Sequence, residues 1–331
     1  MKYVRFKYYV LQIFIFFGEI AYSQATPQNI TNQIHFRSIG PTKQSGRFMQ
    51  VGVPDLNKAP YTFYAASSTG GIWKTTDNGI TFDPVFDNEE NLSIGDVEVS
   101  YSNPNILYVG TGNLSYWGKG MYKSINAGES WTHIGLENTY FISKIVIHPK
   151  NPDIVYIAAI GNIYIDSPDK GIFMTEDGGE TWKKVLGLTD NGKHISGADI
   201  QMHPTDFNII YASMWDPSGG KTSGIYKSVN AGKSWDKLKG GLPGKSLQRI
   251  GIDIYRSDPN IIVATILIEK KGLKKKILEN TIWRSKNGGK NWQRISPGLK
   301  KFPMRGGNRY AQIRIDPMNE ENIYILNNGI Q

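Results

Sequence analysis

The chain has 331 residues, a formal charge of +9, 12% aromatic residues and no cysteine. Without cysteine there is no disulfide, no thiolate metal site and no cysteine nucleophile. The positive charge is spread along the chain and does not form the concentrated basic footprint of a nucleic-acid binder, so no nucleic-acid partner is expected.

Residues 1–23 read as a secretory signal peptide. Lys2, Arg5 and Lys7 form a basic start, "YYVLQIFIFFG" at 8–18 an apolar core, and "AYS" at 21–23 a small-residue cleavage site. Cleavage before Gln24 leaves roughly 308 residues. The signal holds three positive charges and Glu19, so the mature chain carries +7. No later run reaches the roughly 18 apolar residues of a membrane helix, so no membrane span is expected after cleavage.

From residue 45 onward a repeat dominates. "KTTDNGITFDPV" (74–85) recurs as "KSINAGESWTHI" (123–134), "MTEDGGETWKKV" (174–185), "KSVNAGKSWDKL" (227–238) and "RSKNGGKNWQRI" (284–295). The aromatic positions Phe82, Trp131, Trp182, Trp235 and Trp292 are 49, 51, 53 and 57 residues apart. A period near 50 signals a propeller or similar array. A second motif runs in phase. "NPNILYVGTG" (103–112), "NPDIVYIAAIG" (151–161), "TDFNIIYASMW" (205–215), "DPNIIVATIL" (258–267) and "NEENIYILNNG" (319–329) each join a turn to an apolar strand. Alternating strands such as "IGDVEVS" (94–100) precede them. Four short strands per repeat make one propeller blade. The expected fold is therefore an all-β propeller of four-stranded antiparallel blades. Five are full, at 45–86, 93–134, 141–186, 196–238 and 248–295, and a sixth is partial, at 309–331. Residues 24–44 form an N-terminal segment in which "IHFRSIG" (34–40) is placed to close the ring.

The acidic position of the hairpin is Asp77 and Asp177 in two copies and Asn126, Asn230 and Asn287 in three. Aspartate and asparagine share a carbonyl oxygen that accepts backbone N–H groups, and only aspartate carries charge. A position that takes either is an acceptor, not a catalyst. Gly79, Gly128, Gly179, Gly232 and Gly289 supply the positive φ of the turn, and the aromatic is expected in the seam between blades.

These copies resemble the Asp-box, or BNR, repeat of sialidases, xyloglucan-cleaving hydrolases, photosystem stability factors and the sortilin ectodomain. "FRSIGPTKQSGR" (36–47), "STGGIWKTTDNGITFDPVFDN" (68–88) and "SIGDVEVSYSNPNILYVGTGN" (93–113) are similar to the secreted sortilin-like, glycosyl-hydrolase-like propeller proteins of Bacteroidetes. The resemblance covers about 34–331. Members of that family usually run longer, so the chain reads as a fragment of a larger surface or secreted protein, an open arc of blades that associates edge to edge.

The resemblance places ligands opposite the hairpins, on loops joining second to third strands. "SSTG" (67–70) is short. "GTGNLSYWGKG" (110–120) offers Asn113, Tyr116 and Trp117; "GNIYIDSPDKG" (161–171) offers Tyr164 and Asp166; "MWDPSGGKTSG" (214–224) offers Trp215 and Asp216. The fifth loop holds "EKKGLKKK" (269–276), read as a solvated loop. Aromatics beside polar groups suit a glycan, peptide or protein ligand. Asn113, Tyr116, Trp117, Tyr164 and Trp215 are the candidate binding residues. The alternative is glycoside hydrolysis, for which two positioned carboxylates are needed, one of raised pKa. Asp166 and Asp216 are the candidates, with Glu137 from an interblade loop. A sialidase needs an arginine triad, and between residues 48 and 248 there is no arginine. His148 and His203 end first strands before proline, and His35, His133 and His194 stand apart in sequence. No metal-ligand spacing or nucleotide fingerprint occurs, so neither metal nor cofactor is expected.

Overall fold

The computed structural model describes residues 47–245, 247–271, 276–296 and 312–326. The signal peptide, the segment 24–44 and the strand expected at 34–40 lie outside the described residues. The first sheet runs in order through β1 (Phe48–Gly52), β2 (Phe63–Ser67), β3 (Ile72–Thr75) and β4 (Asp83–Pro84). The second holds β5 (Ile94–Val99), β6 (Leu107–Thr111), β7 (Met121–Ser124) and β8 (Thr132–His133). The third holds β9 (Ile142–Ile147), β10 (Val155–Ala159), β11 (Gly171–Thr175) and β12 (Lys183–Leu186). A small hairpin, β13 (Thr189–Asp190) and β14 (Lys193–His194), precedes the fourth sheet. That sheet holds β15 (Ser196–Met202), β16 (Ile210–Trp215), β17 (Gly224–Ser228) and β18 (Asp236–Lys237). The fifth holds β19 (Leu247–Ile254), β20 (Ile262–Lys271), β21 (Lys276–Ser285) and β22 (Gln293–Arg294). The sixth has two strands among the described residues, β23 (Gln312–Asp316) and β24 (Asn319–Leu326). Every pairing is antiparallel. The fold is the all-β propeller of five full blades and a partial sixth. At the open side, Gln312 Nε2 of the sixth blade donates to the Met49 carbonyl of the first at 3.3 Å.

Cores lie between blades, where apolar second strands pack against neighbouring first strands. One such cluster joins Tyr64, Ala66, Val97, Val99, Leu107 and Val109. Glycine permits the close approach: a Cβ on Gly95 would stand 2.1 Å from the Ile142 carbonyl.

The hairpins between third and fourth strands repeat one hydrogen-bond scheme. The hydroxyl oxygen of Thr75, Ser124, Thr175, Ser228 or Ser285 accepts the N–H of the turn glycine at 2.8–2.9 Å. Oδ1 of Asp77, Asn126, Asp177, Asn230 or Asn287 accepts the backbone N–H four residues on. In the aspartate copies a threonine hydroxyl donates to Oδ2; in Asn126 and Asn230 the amide donates to a serine hydroxyl. A hydroxyl can do either, so both residues fit. Hydrogen bonds from Thr81 and Thr75 hold Asp77 down to about 2, and those from Thr175 and Thr181 hold Asp177 lower still.

The turns also tie blade to blade. The residue before each glycine has positive φ: 57° at Ala127, 72° at Gly178, 55° at Ala231 and 64° at Gly288. Its carbonyl is thereby turned to the preceding blade. There the phenols of Tyr64, Tyr108, Tyr156 and Tyr211 donate to these four carbonyls at 3.0–3.3 Å. Lys74, Lys123 and Lys227 Nζ add a second donor at 2.9–3.1 Å to three of them. Trp131 and Trp182 Nε1 reach back to the Val85 and Ile134 carbonyls of the preceding blade, which puts the hairpin aromatic in the seam.

Thermal denaturation of Asp177→Asn is expected to match the parent chain, because asparagine fills the same place in three blades. Asp177→Ala, which removes the acceptor for Thr175 and Thr181, is expected to melt lower.

Candidate functional site

The loop face lies opposite these hairpins. It is built from the β6–β7, β10–β11 and β16–β17 loops and the links between blades. In the first loop, Asn113 Oδ1 accepts the N–H of Ser115 and Tyr116, and its Nδ2 donates to the Ser68 carbonyl and Ser93 Oγ at 2.8 and 2.9 Å. Asn113 is buried and all its bonding capacity is used. This corrects the expectation that it meets ligand: it shapes the loop. The Tyr116 carbonyl accepts Asn113 N and Ser93 Oγ, the Trp117 carbonyl accepts Asn91 Nδ2, and Gly118 N donates to the Tyr140 carbonyl. With the backbone so fixed, the Tyr116 and Trp117 side chains stand 54% and 56% exposed. Tyr140 braces the indole edge-on, with centroids 5.7 Å apart at 73°.

In the second loop Tyr164 is 77% exposed and Ile165 stands beside it. Asp166 does not face solvent as a free carboxylate. Its Oδ1 accepts the His194 N–H at 2.7 Å, and His194 Nδ1 lies 3.0 Å from Oδ2. These bonds hold its carboxyl below the usual range. His194, isolated in sequence, is therefore paired, because the β13–β14 hairpin carries it to the loop. Asp190 on the same hairpin accepts Thr222 N and Oγ1 from the third loop at 3.2 and 3.0 Å.

Trp215 corrects the sequence expectation. It is 1% exposed, packed with Phe141, Ile160 and Ala198, and its indole N–H donates to Gln248 Oε1 at 3.4 Å. It is core. Asp216 is also buried, and its carboxylate closes its own loop by accepting Ser218 N, Ser218 Oγ and Gly220 N. The Lys170 ammonium senses both Asp166 and Asp216, so the two aspartates share a neighbourhood. Glu137 does not join them; it opens a 3₁₀ turn, Glu137–Thr139, with its carboxylate 3.6 Å from His133 Nδ1. The geometry thus brings together exposed aromatics on braced backbone, with carboxylates occupied in holding the loops. Among the described residues no His, Asp or Glu group is placed to hold a metal ion, and no helix is long and apolar enough to cross a membrane.

A family model, Sortilin-Vps10 (Sortilin, neurotensin receptor 3), matches residues 70–196 and 119–265, together more than half of the chain. The chain belongs to the Sortilin-Vps10 family. Xyloglucanase of Hypocrea jecorina is 28% identical over 207 residues, 53% of this chain and 24% of that protein. Vacuolar protein sorting/targeting protein 10 of Fusarium vanettenii is 27% identical over 101 residues, 30% of this chain and 6% of that protein. The chain thus spans about a quarter or less of these relatives. The solved GH74 enzyme of Niastella koreensis superposes with a TM-score of 0.64 at 22% identity, over 86% of this chain and 44% of its own. The GH74 xyloglucanase of Xanthomonas campestris gives 0.61 at 15% identity, over 86% and 44%. At such identities these structures speak for the fold of this Sortilin-Vps10 chain.

Asp190, His194 and Tyr140 were missed by sequence reasoning because none lies in a second-to-third-strand loop. For Asp216 and Asn113 a signal existed. Asn113, Asn162 and Asp216 recur just after second strands, and each accepts the N–H two residues on. That is the asparagine-or-aspartate acceptor pattern seen in the hairpins.

Trp215→Ala is expected to lower unfolding free energy by about 3–5 kcal/mol. Trp117→Ala is expected to change it by no more than about 0.5 kcal/mol. Urea denaturation of the two variants checks the order.

Proposed function

We propose that the protein is an exported, non-catalytic binding module. It takes an extended glycan or peptide across the loop face, stacked on Trp117, Tyr116 and Tyr164. The observation that carries this reading is that the two aromatics of the 110–120 loop are more than half exposed while the backbone beneath them is fully bonded. Such a platform loses little entropy on binding, and flat aromatic surfaces suit sugar rings. The xyloglucanase relatives favour a glycan over a peptide. Residues 1–23 supply the export signal.

Hydrolysis by Asp166 and Asp216 is the second reading, favoured by those same relatives and by the lysine between the two carboxylates. Against it, a glycosidase needs one carboxyl held protonated by a raised pKa, and Asp166 is shifted downward. The oxygens of Asp216 are taken by its own loop.

The exported product, checked by mass to begin at Gln24, is screened on glycan and peptide arrays and titrated calorimetrically with the best ligand. Trp117→Ala is expected to weaken binding about tenfold or more with the melting temperature unchanged. Asp166→Asn is expected to release no less reducing sugar than the parent, because neither releases any. Unchanged affinity in Trp117→Ala contradicts the platform, and sugar release abolished by Asp166→Asn establishes the second reading.

A further inference from the structure

The first strands carry charged residues that the loop face does not use. Strand pairing sets them at two levels. Asp96, Lys144 and Asp199 stand opposite Gly110, Ala158 and Ser213. Glu98, Asp253 and Arg314 stand one step along, opposite Tyr108, Val263 and Tyr324. A first strand is the innermost of its blade, so one of its edges is covered by no other strand and needs acceptors for its N–H groups. Carboxylates of the preceding blade supply them. Asp96 Oδ2 accepts Ile145 N at 2.6 Å, Asp199 Oδ2 accepts Ile252 N at 2.8 Å, and Asp253 Oδ2 accepts Ile315 N at 2.8 Å. The same clasp therefore joins blades two to three, four to five and five to six. Between three and four, Ser143 Oγ donates to the Ala198 carbonyl instead.

The three clasps differ in charge balance. Lys144 Nζ lies 3.2 Å from Asp96 and 3.6 Å from Glu98, and these two carboxylates outweigh the effect of burial and leave its ammonium raised. Asp253 faces Arg314 and Arg256. Asp199 is bonded by backbone alone among the hydrogen bonds to its oxygens, from Ile200 N and Ile252 N at 2.8 Å. The charged groups around it are Lys144 from the third blade, Arg249 from the fifth and Arg314 from the sixth. Lys144 is already shared by Asp96 and Glu98, and Arg249 lies over the Phe141 ring at 5.8 Å.

We propose that the inner ring takes up a proton at Asp199 in mildly acidic solution, and that this proton tightens the seam between the fourth and fifth blades. Burial pushes Asp199 up to about 6, against the Ile252 N–H, Arg314 and Lys144, which pull it down. The native carboxyl thus holds its proton more tightly than the unfolded chain does. Its ionisation weakens the fold above the folded pKa, and that loss is recovered as pH falls through it. Burial raises Asp96, Glu98 and Asp253 in the same sense. His148 and His203, lowered by burial, act with the opposite sign in the same range. Asp77 and Asp177, both lowered, lose their contribution only as pH falls below the ordinary carboxylate range. The contribution of Asp199 is therefore read as a difference between two curves.

The test compares thermal melts of the full chain and Asp199→Asn from about pH 7.5 to about pH 5, with a carboxyl-carbon NMR titration of the parent chain. The neutral variant is expected to melt higher than the parent at the alkaline end, with the gap closing toward the acidic end. The Asp199 carboxyl is expected to titrate near 6. A gap that stays constant, or an Asp199 carboxyl that titrates in the ordinary aspartate range, overturns the proposal. The NMR arm decides even where the variant fails to fold.

Discussion

Each hairpin presents one backbone carbonyl to the blade before it, and the rest of the structure depends on that carbonyl. A residue in the left-handed region, alanine at two of the four positions, turns it outward. A non-glycine residue there costs about 1–2 kcal/mol, so the turn is held by its surroundings. The surroundings are the acceptor side chain inside the hairpin and the tyrosine, usually with a lysine, outside it. Burial pushes the phenols of Tyr64, Tyr156 and Tyr211 up to about 12, so they remain donors throughout the range in which the fold exists. Where the third strand carries Met174 in place of lysine, the tyrosine acts alone. At the fifth blade, Val263 and Arg284 stand in the tyrosine and lysine positions. Arg284 reaches the Glu320 carbonyl and Glu321 carboxylate at the turn of the sixth blade. The contact changes chemistry and keeps its place.

The ring is thus tied at two radii, by these carbonyls toward the hairpin rim and by carboxylates along the first strands. A scaffold tied in this way frees the opposite face from any duty in stability, and that face carries the exposed aromatics. The division of labour also explains the carboxylates. Asp77, Asp177, Asp166, Asp190 and Asp216 each accept backbone N–H groups, so the acids with lowered pKa hold loops and turns. The acids with raised pKa are Glu89 and the buried carboxylates of the first strands.

Much of the fold was legible because it is written five times. The glycine and the alternating aspartate or asparagine state the turn chemistry directly, and the steps near 50 residues give the blade. The candidate site was less legible, for a physical reason. A loop aromatic declares its size but not its direction: Trp117 and Trp215 follow their second strands alike, yet one stands in solvent and the other fills a core with Phe141 and Ala198. The direction is set by partners distant in sequence, Tyr140 for one and Gln248 for the other. The interblade tyrosines were hidden in the opposite way. Inside apolar runs such as "NILYVG" and "DIVYIA" they read as strand residues, and their hydroxyls meet carbonyls 63 to 77 residues onward.

The most direct measurement is a double-mutant cycle at the first seam. Tyr64→Phe removes one hydroxyl and Lys74→Met one ammonium, both from the Ala127 carbonyl. Each single change is expected to lower unfolding free energy by about 0.5–1.5 kcal/mol. The double variant is expected to lose at least about 0.5 kcal/mol beyond their sum, because the carbonyl is then left without a side-chain donor. Strict additivity, or singles that melt like the parent, contradicts the claim that this carbonyl holds the blades together.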